Sequence, residues 1–87
     1  MAFANNTAYQ ATTDGMVCAF SRTTGRATLI GYTDSNSSPS TEIFNLRDAG
    51  PQDQTSTCNI TMPVKKNDYW KVNGNGTVTI RWMPLGA

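Results

Sequence analysis

The chain has 87 residues, 38% of them hydrophobic, with seven Lys and Arg against six Asp and Glu and a formal net charge of +1. That length suits one domain over residues 1–87 rather than two cores, and the balance of apolar content and charge excludes a solvated, self-repelling chain. Near-neutral charge also removes a broad field for phosphate backbones or anionic lipids, and no apolar run is long enough for a bilayer, so neither a nucleic-acid partner nor membrane insertion is expected.

The opening MAFANNTAYQ has no basic region and no apolar stretch of a secretory signal. It fits a protein made in the cytoplasm, or an internal start in a longer chain. Residues 1–10 read as irregular or as an edge segment carrying Phe3 and Tyr9. Thr13-Asp14-Gly15 is a turn. A strand follows over 16–20 with Met16, Cys18 and Phe20 on one face, and a turn at 21–25 folds it back as a hairpin onto 26–32. In that second strand Ala27 and Leu29 share one face, Ile30 and Tyr32 the other. Residues 33–40 and 47–54 read as exposed polar loops around a strand at 41–46. The stretch 55–62 alternates, with Cys58, Ile60 and Met62 inward and Thr57, Asn59 and Thr61 outward.

The clearest pattern closes the chain. Tyr69 to Val72, the turn Asn73-Gly74-Asn75-Gly76 and Thr77 to Trp82 form an expected hairpin, because Asn-Gly tolerates the positive φ that a tight reversal needs. Val78, Ile80 and Trp82 point inward, and Tyr69 and Trp70 to opposite faces. Lys65, Lys66 and Lys71 read as a solvated strand edge. Short strands between turn signals, without a helical period, define an all-β chain: a small antiparallel β-sandwich or reduced jelly roll. Its core must be thin, which favours subunit contacts, although a compact monomer is the alternative.

Chemistry is scarce. Histidine is absent, removing the usual general base. Asp14, Asp34, Glu42, Asp48, Asp53 and Asp68 fall mostly in turns and loops, where aspartate bonds the backbone; an enzyme is not expected, and neither is a cofactor. Cys18 and Cys58 form no CxxC pair and have no histidine beside them, so no metal site is expected. A buried free thiol is the favoured reading of each, and a disulfide between them the alternative. The triplets at Asn5, Asn36, Asn59 and Asn75 carry no glycan argument in a chain so rich in Asn, Ser and Thr. Among the aromatics, Tyr32 opens a loop bearing Asp34 and Asn36. It reads either as a loop anchor or as a stacking platform with hydroxyl-binding neighbours.

The segment MPVKKNDYWKVNGNGTVTIRWMPLG, residues 62–86, resembles the closing strands of β-sandwich tips in bacteriophage tail fibres and related receptor-binding proteins. There a P-V-K-K-G-D turn precedes a strand, and the last strand ends in an aromatic followed by P-L-G. Tumour-necrosis-factor-like and C1q-like trimers end comparably, and YQATTDGMVCAF, residues 9–20, is similar to the entry strand of such tips. Asn67 stands where that pattern has glycine, and the chain is much shorter than a full jelly roll of that kind. The resemblance implies a virion appendage and a homotrimer with Ile80, Trp82, Met83 and Leu85 in core or interface. It also implies exposed loops that bind a host-surface glycan or protein receptor, with Tyr32, Asp34, Asn36 and Arg47 as candidate ligand residues. The alternatives are a structural trimerisation, folding or virion decoration module and, last, a small hydrolase using a carboxylate such as Asp34.

Overall fold

The computed structural model describes residues 3–48 and 55–86. Seven strands are found among them: β1 (Tyr9–Gln10), β2 (Gly15–Thr24), β3 (Ala27–Asp34), β4 (Glu42–Asp48), β5 (Thr55–Val64), β6 (Tyr69–Gly74) and β7 (Thr77–Pro84). They build two antiparallel sheets, one ordered β1-β6-β3-β4 and the other β5-β2-β7. β5 faces β3 and β4, β2 faces β3, and β7 faces β6, so the expected sandwich is the fold. Two expected loop boundaries move: Thr33 and Asp34 belong to β3, and Arg47 and Asp48 belong to β4; residues 49–54 of the second loop lie outside the described residues.

The two expected hairpins are not hairpins. β2 and β3 lie in different sheets, as do β6 and β7, so each tight turn carries the chain across the sandwich. Gly25 (φ 94°) and Gly76 (φ 67°) supply the left-handed backbone for these crossings, a conformation in which a Cβ is penalised. Asn75 anchors the second crossing: its amide donates to the Arg26 carbonyl at 2.7 Å and its Oδ1 accepts from the Thr28 N–H at 2.9 Å. The reason is burial. Trp70 and Val72 on β6 and Ile80 and Trp82 on β7 bury their apolar faces against each other only from opposite layers. Side by side in one sheet, they would need a third element to cover them.

Between the layers, Val17, Ala19, Leu29, Ile60, Met62, Trp70, Val72 and Ile80 form the centre of the core, with Val78 and Trp82 partly buried against it. β5 behaves as its alternation indicates, with Ser56, Cys58, Ile60, Met62 and Val64 buried and the residues between them exposed. β2 shows the opposite of what residue size suggests. Met16, Cys18 and Phe20 do share a face, but it is the outer one, and the small side chains of Val17, Ala19 and Ser21 fill the interior. Leu29, Met62 and Trp70 already occupy that space, so a thin interior favours small residues opposite them. The polar groups inside are bonded: Ser21 Oγ donates to the Thr28 carbonyl at 3.3 Å and the Cys58 thiol to the Ala27 carbonyl at 3.4 Å.

Cys18 and Cys58 are both free. They sit on opposite faces of one sheet, Cys18 opposite Thr61 and Cys58 opposite Ser21, so a disulfide would have to pass through the sheet. Cys58 is the buried apolar-like thiol expected; Cys18 is half-buried on the outer face. The N-terminal segment lies beside β6, held by the Asn6 N–H on the Val72 carbonyl at 2.7 Å and by paired bonds between the Asn5 amide and the Gly74 backbone.

Candidate functional site

Strand register assigns every outward residue to a row across its sheet. On the three-stranded sheet the rows read Pro63–Met16–Met83, Thr61–Cys18–Arg81, Asn59–Phe20–Thr79 and Thr57–Arg22–Thr77. One end is therefore apolar, and Leu85 extends it, held by its N–H on the Asp14 carbonyl at 2.8 Å. Met83 is 51% exposed and Leu85 60%. The four residues grouped from sequence as core or interface thus separate. Ile80 is core, Trp82 is half-buried and stacked on Trp70, and Met83 and Leu85 lie on the surface.

The outer face of the four-stranded sheet differs. Its rows read Gln10–Tyr69–Asp34, then Lys71–Tyr32–Glu42, then Asn73–Ile30–Asn45, then Thr28–Arg47. Tyr32 lies at the middle strand, with the Lys71 ammonium over its ring at 4.7 Å from the centroid. Such a cation–aromatic contact holds the lysine head against an apolar surface while leaving it hydrated. On the far side of Tyr32, Glu42 accepts a hydrogen bond from the Asn45 amide at 3.5 Å, which places both side chains on this face. Tyr69 is the diagonal neighbour of Tyr32, within reach of a ligand that touches both. Lys71 is therefore not an edge lysine: β6 is flanked by β1 and β3.

Of the four ligand residues nominated from sequence, Tyr32 lies in this cluster and Asp34 borders it, opposite Tyr69 on the same face. The Asp34 carboxylate organises the loop that follows it. Its Oδ1 accepts from the Asn36 N–H at 2.9 Å, and its Oδ2 from the Ser40 and Thr41 N–H groups at 2.9 and 3.0 Å. These bonds, that of Ser40 foremost and then that of Asn36, hold its carboxyl at about 2, below the ordinary 3.8. Asn36 is exposed and enters through its backbone. Arg47 projects two rows beyond Tyr32, opposite Thr28, roughly 13 Å along the strand at about 3.3 Å per residue.

The loop bonds require ionised Asp34, so their contribution is complete above pH 3.8 and is lost as pH falls through about 2. The Ser40 and Thr41 amide resonances should titrate together with a midpoint near 2. A midpoint at the ordinary value would show that these bonds do not favour the carboxylate. Asp34→Asn should remove the transition.

Tyr69, Lys71 and Glu42 were not nominated from sequence. Nothing in their local sequence links them to Tyr32; only the register of β6 and β4 against β3 does. Among the described residues no group of three or more His, Cys, Asp or Glu is placed to hold a metal ion, and no helix is long and apolar enough to cross a membrane. No family model matches the chain, and no curated protein or solved structure was found to match it.

Proposed function

We propose that this chain is the receptor-binding tip of a bacteriophage tail fibre: a non-enzymatic, homotrimeric adhesion module carried on the virion that contacts a host-surface glycan. The observation that carries this reading is the contrast between the two outer faces. One end of the three-stranded sheet is apolar and suited to burial against neighbouring subunits. The four-stranded sheet presents Tyr32 and Tyr69 among Lys71, Glu42, Asn45 and Asn73, a mixture suited to a polyhydroxylated ligand. An aromatic ring takes the C–H face of a sugar, and the flanking amide and charged groups take its hydroxyls.

The likeness of residues 62–86 to tail-fibre tips supports the same reading. Asn67 occupies the glycine position of that pattern and holds φ at 75°, the left-handed conformation that glycine adopts freely. Its N–H donates to the Ala11 carbonyl and Ala11 N–H to the Asp68 carbonyl, each at 2.8 Å, so this turn closes on the segment that leads into β2.

The labelled full chain should bind host cells or their purified surface polysaccharide saturably. Tyr32→Ala should weaken that binding about tenfold or more, the scale of one stacked aromatic contact, while leaving the molecular mass unchanged. Arg47→Ala, two rows away, should change it little. An assembly that keeps its mass but binds no host surface would favour the structural trimerisation or decoration role instead.

A further inference from the structure

We infer that the Tyr32 face selects saccharides that carry a carboxylate, and that Lys71 makes the selection. The inference rests on the glycan-binding reading above and deepens it. Its basis is the order of chemistry across one row: cation, aromatic ring, carboxylate, on three adjacent strands. With strands about 4.8 Å apart, the backbones bearing Lys71 and Glu42 are roughly 10 Å apart, with Tyr32 between them. Glu42 is engaged by the Asn45 amide, whereas the Lys71 ammonium rests on the Tyr32 ring.

A ring is a weak partner for a cation compared with a carboxylate, because a charge-assisted hydrogen bond adds directional donors to the electrostatic attraction. A sugar lying over Tyr32 and Tyr69 therefore meets a cation on the β6 side and an acceptor carboxylate on the β4 side, while the Asp34 carboxylate opposite Tyr69 is already engaged by the Asn36, Ser40 and Thr41 N–H groups. The arrangement favours a ligand whose own carboxylate faces Lys71 and whose hydroxyl donors face Glu42. The reverse orientation sets two carboxylates against each other. Lys71 need only rotate its flexible stem off the ring to reach the ligand, with no backbone movement.

The probe is an oligogalacturonate compared with its carboxyl-reduced neutral counterpart, titrated into the full chain by calorimetry. The acidic form should bind about tenfold more tightly at low salt, the ratio expected of one charge-assisted hydrogen bond at a partly exposed site, and the ratio should shrink as salt rises. Lys71→Gln should bring the ratio to about one by weakening the acidic ligand more than the neutral one, which loses at most a hydroxyl contact. Lys71→Arg, which keeps the charge, should preserve the preference and guards against a folding defect in the glutamine variant. Equal affinity for the two ligands, or a preference that survives Lys71→Gln, overturns the assignment while the glycan-binding reading stands. Binding of neither ligand also overturns it, and the adhesion reading then depends on the host-cell binding experiment alone.

Discussion

Trp70→Ala is expected to leave the chain largely unfolded at room temperature. Trp70 is 2% exposed and lies at the centre of an aromatic cluster. It stacks on Trp82 with ring centroids 6.0 Å apart and planes 6° from parallel, and it meets Tyr9 at 5.0 Å and Phe3 at 5.3 Å. Truncating a buried tryptophan costs about 3–5 kcal/mol, comparable with the lower end of the ~5–15 kcal/mol that stabilises a typical domain. A chain this short has little reserve, since small domains bury a smaller share of their surface. Trp82→Ala should cost less, ~2 kcal/mol, because the indole is only partly buried, although it lies so close over Gly15 that a Cβ there would fall 2.5 Å from the ring. Chemical denaturation should show a lowered but cooperative transition for Trp82→Ala and little or no folded baseline for Trp70→Ala. A cost below ~1 kcal/mol for Trp70→Ala would remove Trp70 from the core.

The inward residues of β5 and β7 were legible in the sequence because strict alternation fixes which side chains share a face. It does not fix which layer a strand joins. Asn75-Gly76 serves a crossing between sheets as readily as a hairpin, since both need the same positive φ. The choice is made by what must be covered on the neighbouring strand, which is a property of the whole sandwich. In β2, alternation grouped Met16, Cys18 and Phe20 on one face without fixing whether that face was the inner one. Met16, Cys18 and Phe20 are more conspicuous than Val17, Ala19 and Ser21, yet the interior had room only for the smaller set. The candidate site was legible only at Tyr32. Asp34 is the residue type that both turns and ligand sites use, and its three backbone bonds show the turn role. Lys71 and Glu42 come from strands distant in sequence, and pairing alone places them beside the tyrosine.

The second large effect concerns assembly. If the apolar end of the three-stranded sheet is the subunit contact, the chain should travel in solution at three times its 9.4 kDa mass, and Met83→Asp should reduce it to one. Met83 lies in one row with Met16 and Pro63, beside the exposed Leu85, so a carboxylate there would be buried without an acidic or basic partner in its own row. Burying an unpaired charge costs several kcal/mol, enough to dissociate a trimer whose contacts are shared among small faces. The monomer itself should remain folded, because Met83 is 51% exposed and contributes little to the core. Cys18 supplies a native reporter in the adjacent row. Its alkylation should be slow in the assembly and faster in Met83→Asp, while Cys58, buried inside the sandwich, stays slow in both. Light scattering across a concentration range checks the mass. A monomer for the unsubstituted chain at every concentration would show that the sandwich stands alone and that Met83 and Leu85 serve some contact other than a second copy.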